Sequence, residues 1–324
     1  MRDSFDHNFS DRINYRIVIV TLDSHNARPC ERALLNMLPD FDGLHIDIFA
    51  AAEWDEDPGA FEVVREAIAQ ADIIVINLLF LEHHVKRLLP EIQLRRNSCD
   101  AIVGMISDAE LVKQTKMGVL DMLSPQSNVM SLLKKLRGSS KPSSESGEKK
   151  MRMLRRLPKI LKFIPGKSQD LRAWFLAMQY WLGGTDENIE SMLRFLISRY
   201  SRVEGWRGCK TEMPKDYPDV GLYHPDLNEK IFDRIEDLPK LENPVGTIGI
   251  LLMRSYVLSG DTAHYDAVIR RFTEHNIQVV PAFSGGLDAR PAIEKYFKNS
   301  DKTVIDGLLS LTGFSLVGGP AYND

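Results

Sequence analysis

Four apolar runs rich in β-branched residues constrain this chain more than any other feature: Arg16–Leu22, Leu44–Phe49, Asp72–Leu79 and Asp100–Ile106. Runs of this kind suit strands covered on both faces. The segments between them have a helical period. In Gly59–Ala71, residues Phe61, Val64, Ile68 and Ala71 recur every three or four positions and form one apolar stripe. Strand and helix in alternation predict a mostly parallel sheet with helices packed on it, a Rossmann-like α/β domain over residues 1–137.

Residues 138–150 read GSSKPSSESGEKK, too little apolar surface to offset the entropy of ordering, so a flexible linker is expected. Residues 151–243 are expected to form a helical and irregular connecting domain. Met151–Phe163 reads as a basic amphipathic helix, and Gln169–Leu182 and Glu187–Tyr200 as two more. Gly183-Gly184 supplies the stop between the last two. Beyond Gly205, Pro214, Pro218, Pro225 and Pro239 break any long element. A second α/β domain is expected from 244 to 324. Its strands are Thr247–Met253, Gln278–Phe283 and Gly307–Leu311, with helices at His264–His275 and Pro291–Phe297. The sheet is expected to be incomplete at Asp324, leaving an unpaired edge.

At 324 residues, 44% hydrophobic and 27% charged, the chain has the composition of a globular protein with more than one core. A formal charge of -4 gives no overall positive field, so nucleic acid is not an expected partner. No apolar run approaches the ~20 residues of a membrane span, and the polar start Met1–Asn14 has no secretory h-region. A cytoplasmic location is expected. Peripheral membrane contact through the basic helix Met151–Phe163 is left open beside its plainer reading as a solvated face. Cys30, Cys99 and Cys209 are too few and too far apart for a disulfide framework or a CxxC site, and read as unpaired thiols.

Parallel sheets place ligands beyond the carboxyl ends of their strands. In the second domain that rim carries Arg254, Asp261, His264, Ser284 and Asp288, the substrate-binding candidates. A guanidinium forks a carboxylate, and an imidazole can accept a proton. The plainer readings are that Asp261 or Thr262 caps the next helix, and that Gly285-Gly286 and Gly318-Gly319 serve turns. Neither glycine pair fits G-x-G-x-x-G or a Walker A loop, so nucleotide binding lacks support. In the first domain, Asp23 and His25 follow the first strand, where capping is the plainer role. His83 and His84 are adjacent on a helix and diverge by about 100°, so no metal site is expected from them. Leu171, Trp174, Met178 and Trp181 form one helical face, read as core in preference to a tetrapyrrole-stacking surface.

Several segments resemble the large (H-type) subunits of the magnesium chelatase family, in the form found in bacteriochlorophyll-making bacteria. They are Leu252–Tyr265 (LMRSYVLSGDTAHY), Pro281–Asp288 (PAFSGGLD) and Ser310–Pro320 (SLTGFSLVGGP), supported by Leu157–Lys162 and Gln179–Gly184. The resemblance covers nearly the whole chain but only the N-terminal portion of such subunits. It implies an enzyme subunit that binds protoporphyrin IX and inserts Mg2+ while separate AAA+ type I and D subunits hydrolyse ATP. It also implies that the catalytic groups lie C-terminal to Asp324. The large subunit of cobaltochelatase is the near alternative, and a non-catalytic docking module the more distant one.

Overall fold

The computed structural model describes residues 13–22, 24–57, 59–124, 168–285, 288–300 and 302–317. The linker and the basic helix expected at Met151–Phe163 lie outside them. The four β-branched runs form strands β1 (Tyr15–Thr21), β2 (Leu44–Ala50), β3 (Ile73–Asn77) and β4 (Ala101–Met105), all parallel, in the order β2-β1-β3-β4. A short antiparallel hairpin, β5 (Lys116–Met117) and β6 (Leu120–Asp121), extends the β4 edge and turns through Gly118 at φ +54°. Its strands are too short to show a period in the sequence.

The connections are α1 (Ala27–Met37), α2 (Glu53–Glu56), α3 (Ala60–Gln70), α4 (Glu82–Arg95) and α5 (Ala109–Val112). Alternation along the strands divides the core. Ile17, Ile19, Ile73, Val75 and Val103 face one way, while Val18, Val20, Ile74, Ile76 and Ile102 pack with α3 and α4 on the other. Burial on both faces explains the unbroken apolar interiors of β1, β3 and β4, whereas the edge strand β2 alternates through His45 and Asp47.

The first face is covered by α1 and by a helical pair, α6 (Ser168–Gly183) and α7 (Asp186–Tyr200), and this departs from the expected domain plan. Trp174, Phe175, Met178, Trp181, Leu193 and Leu196 share one core cluster with Ile17, Ile19 and Val75. These helices therefore complete the first unit, which extends to Pro214, and do not form a connecting domain over 151–243. An apolar helix pair needs a partner surface, and the uncovered sheet face supplies it. Polar contacts fix α7 against α1. Arg32 pairs with Asp186, Arg194 Nη1 lies 2.7 Å from Asp40 Oδ2, and Asn36 Nδ2 donates to Glu190 Oε2 at 3.0 Å.

Asp170, at the start of α6, is a buried hub. It accepts from Val119 N at 2.9 Å, Tyr200 Oη at 2.9 Å and Arg199 Nη2 at 3.0 Å. One carboxylate thus joins α6, α7 and the β5–β6 turn.

The second unit begins at Lys215, earlier than the boundary expected at 244. Within the proline-broken stretch lie β7 (Val220–Tyr223) and β8 (Ile231–Phe232), antiparallel strands too short to announce themselves. They join β9 (Gly246–Met253), β10 (Ile277–Ser284) and β13 (Gly307–Ser310) in the order β13-β9-β10-β7-β8, where β9, β10 and β13 are mutually parallel. Helices α8 (Arg254–Ser259) and α9 (Ala263–Glu274) follow β9, and a small hairpin of β11 (Lys298–Asn299) and β12 (Lys302–Thr303) precedes β13. The helix expected at Pro291–Phe297 is one α-turn, Arg290–Ala292, passing into a π-helix over Ile293–Phe297. Among the described residues β13 is one sheet edge, with Leu308 on it exposed. All three cysteines are free, and no described helix is long and apolar enough to cross a membrane.

Candidate functional site

In the second unit the carboxyl ends of β9, β10 and β13 lie side by side, and their loops meet at a small recess. Leu252, Met253, Ser284, Ala289, Thr312 and Phe314 line it. Its volume of about 10 Å³ admits roughly one water, far less than a macrocycle needs.

Of the five sequence candidates, only Ser284 touches the recess, and its Oγ donates to the Asp288 carbonyl at 2.8 Å. Arg254 turns to backbone: Nε donates to the Pro218 carbonyl at 2.8 Å and Nη2 to the Tyr217 carbonyl at 3.0 Å. It holds the segment before β7 against the end of β9. Asp288 is forked by Arg290, with Nη2 to Oδ2 at 2.7 Å and Nε to Oδ1 at 2.9 Å. The Arg290 guanidinium holds the Asp288 carboxyl below the usual carboxylate range, against the effect of burial.

Asp261 donates its N–H to the Tyr256 carbonyl at 3.1 Å, closing α8 where Gly260 adopts φ +70°. Thr262 occupies the N-cap position of α9 but makes no side-chain cap. Its Oγ1 lies 2.9 Å from Tyr223 Oη, which donates to Asp266 Oδ1 at 2.7 Å. The hydroxyl expected to cap is taken by a buried tyrosine. His264 is exposed, its ring 3.9 Å from that of Tyr265 and 5.6 Å from that of Tyr256, centroid to centroid. It stands as the outermost ring of an aromatic group, away from the recess.

In the first unit the strand order reverses direction between β1 and β3, the crevice where doubly wound sheets hold ligands. Beside it Asn77, at the end of β3, is engaged by the buried Trp181. With the Asn77 amide oriented so that Nδ2 donates to the Met105 carbonyl at 3.1 Å, Oδ1 accepts from Trp181 Nε1. Trp174 Nε1 likewise donates to the Gly104 carbonyl at 2.8 Å, and both indoles are buried. The stripe of α6 is core, not an open stacking surface. The N-cap position of α1 is Asn26, also without a side-chain cap, and His25 beside it is buried. Asp23 lies outside the described residues. Leu78 at φ +58° and Ile106 at φ +41° end β3 and β4 in the left-handed region, a cost of roughly 1–3 kcal/mol each.

The same rim holds a cluster that the sequence reading discounted. Asp55, at the end of α2, meets His83 and His84 in the first turn of α4. His83 Nε2 lies 3.1 Å from Asp55 Oδ1 and His84 Nε2 3.2 Å from Oδ2. The two rings approach to 4.1 Å between centroids. Adjacent helical positions do diverge at the backbone, but Asp55 sits over the helix start and both imidazoles rotate toward it. Burial holds the His84 imidazole below its usual range, with repulsion from His83 adding and Asp55 opposing. Asp55 is held below the carboxylate range because its two histidine partners outweigh desolvation. No sequence signal joins Asp55 to residues 28 and 29 positions later. Their proximity follows from the strand order β2-β1-β3, which sets the loops after β2 and β3 on either side of β1.

Comparison with known proteins covers nearly the whole chain. Residues 16–175 match the family model described as a domain of unknown function, DUF3479, and residues 178–324 match the one described as CobN/Magnesium Chelatase. The boundary between them falls inside α6. The chain is 57% identical to the magnesium-chelatase H protein of Cereibacter sphaeroides, over 96% of its own length and 26% of that relative's. It is 30% identical to the chloroplastic magnesium-chelatase protein ChlH of Oryza sativa subsp. indica, over 83% of this chain and 20% of that one. A solved catalytic subunit of cobaltochelatase from Mycobacterium tuberculosis aligns at TM-score 0.43 and 12% identity, covering 92% of this chain and 18% of that one, too loose to inform the reading. The chain thus spans about a quarter of the length of the Cereibacter sphaeroides relative.

Proposed function

We propose that this chain, whose residues 178–324 match the CobN/Magnesium Chelatase family model, forms part of the porphyrin-binding large (H-type) polypeptide of a magnesium chelatase, which inserts Mg2+ into protoporphyrin IX for bacteriochlorophyll synthesis. The identity of 57% across 96% of the chain carries this reading. ATP hydrolysis by partner I and D subunits supplies the free energy. The insertion replaces two pyrrole N–H bonds with Mg–N bonds and releases two protons, while Mg2+ must shed water that it holds tightly. Proton acceptors and a dry cavity are therefore required of the whole polypeptide.

Within this chain the second-unit rim contributes binding surface and leaves proton transfer to residues outside it. Arg254 and Asp288 already hold backbone and Arg290, so they shape the rim. Ser284 and the exposed His264 ring are the proposed contacts for the macrocycle. One observation favours a second reading: a recess of about 10 Å³ cannot enclose a porphyrin, which suits a docking module that meets partner subunits.

The test uses the full-length polypeptide carrying this sequence, with I and D subunits, ATP, Mg2+ and protoporphyrin IX. Fluorescence of Mg-protoporphyrin should appear, and its absence with active control subunits removes the chelatase reading. In the same protein His264→Ala should slow insertion while leaving the thermal midpoint in place. Parallel loss of both returns His264 to a structural role. Saturable quenching of porphyrin fluorescence by the 324-residue chain alone counts against the pure docking reading.

A further inference from the structure

We propose that Asp55, His83 and His84 form a binding site for a borderline divalent transition-metal ion, Zn2+ foremost, on the carboxyl-end rim of the first sheet. The three side chains each present one ligand atom, and these atoms lie within 4.8 Å of one another. Bonds of about 2.0–2.1 Å in a tetrahedral zinc site place ligand atoms roughly 3.3 Å apart. Measured to one carboxylate oxygen, Asp55 Oδ2, the Nε2 atoms of His83 and His84 lie at 3.3 and 3.2 Å, which already match that spacing. Only the two imidazoles need to move relative to each other.

The donor set decides the ion. Two neutral imidazoles with one carboxylate suit Zn2+ and its transition-metal neighbours, whereas Mg2+ demands oxygen ligands in octahedral array. Three protein ligands leave a fourth position open to water or to a further group.

The surroundings fit a cation. Glu53, Glu56 and Asp57 stand on the same acidic turn as Asp55. Arg87, the nearby positive charge, lies 4.6 Å over the Phe61 ring and donates to the Trp54 carbonyl. His84 is fully buried, with Trp54 edge-on at 5.5 Å, which fixes its ring direction. Its Nδ1 is buried without a hydrogen-bond partner in the structure, so the protein gives up a bond to hold this imidazole in place. Coordination through Nε2 places the proton of each neutral ring on Nδ1. The two contacts to Asp55 are exchanged for metal bonds, and an imidazole that carries a second proton must lose it first.

The experiment uses the 324-residue chain, stripped by a chelator and titrated with Zn2+ against a chromogenic competitor. His83→Gln and Asp55→Asn are the informative variants, since both side chains are about half exposed and far-ultraviolet circular dichroism checks their folding. His84→Gln would remove a buried ring and is not relied upon. The wild-type chain should bind one equivalent that each variant weakens at least tenfold, while the surface control Glu62→Gln leaves binding unchanged. Co2+ should give the intense visible absorption of four-coordinate geometry in the wild type and lose it in His83→Gln. Equal Zn2+ binding by wild type and both variants overturns the site, as does displacement of Zn2+ by equimolar Mg2+.

Discussion

Replacing Asp170 with Ala tests the assignment of α6 and α7 to the first unit. The carboxylate accepts from a buried tyrosine hydroxyl, a backbone N–H and a guanidinium, drawn from α7, from the β5–β6 turn and from α7 again. Removing it strands the Tyr200 hydroxyl at about 1–3 kcal/mol and the Val119 N–H at about 1 kcal/mol. Arg199 is one-third exposed at its side chain and partly recovers water, so its share is under about 1 kcal/mol. The expected loss is about 3 kcal/mol, a fall of at least about 1 M in the urea midpoint. Asp170→Asn keeps one acceptor oxygen but sets an amide group near donors, and should lose about half as much. Trp54, Trp174, Trp181 and Trp206 are the only tryptophans in the sequence and all belong to the first unit, so indole fluorescence reports that unit alone. Unfolding should remain one transition, shifted as a whole. A change below about 0.5 kcal/mol, or a fluorescence transition that splits in two, refutes the shared core.

Two other outcomes follow from buried groups. Burial pushes the Cys30 thiol up to about 12 and the Cys99 thiol up to about 11, the latter despite Arg95. At pH 8 their thiolate fraction is on the order of one in a thousand or less, so native-state alkylation should be correspondingly slow. Fast labelling of either by mass spectrometry contradicts the packing. His224 is buried, its Nδ1 accepts from Asp226 N at 3.3 Å, and burial lowers its pKa, with Asp226 and Asp266 opposing and Arg270 reinforcing. The unfolded chain then binds the proton first, so second-unit stability should fall as pH drops through about 6.5, where free imidazole titrates. His224→Gln should flatten that slope in thermal melts between pH 7 and 5, and an unchanged slope rules His224 out as its origin.

The longer parallel strands were legible because burial on two faces leaves unbroken runs such as Ile73–Asn77. The domain plan was not. A helical face such as Trp174, Met178 and Trp181 states that it is buried but not against what, and only the structure shows that β1, β3 and β4 offered the surface. The strands β7 and β8 escaped notice because four and two residues carry no period, and the prolines around them suggested loop. At the candidate sites, residue type marked Arg254, Asp261 and Asp288, yet partners decide their roles, and those partners come from Tyr217, Tyr256 and Arg290. The Asp55 cluster was missed for the opposite reason: a sound rule about helix positions held for the backbone, while long imidazole side chains reached past it.

Helix α6 also bears on how such proteins can be inherited in pieces. The two family models meet between residues 175 and 178, in the middle of that helix. A chimera joined there would take Trp174 from one parent and Trp181 from the other, seven residues apart on a single buried stripe. Each indole bonds a different part of the first sheet, Trp174 the Gly104 carbonyl and Trp181 the Asn77 amide. Exchange between lineages at that point would ask two unrelated histories to agree on one helix. A crossover near Pro214 would leave both tryptophans, and the sheet that they cover, with a single ancestor.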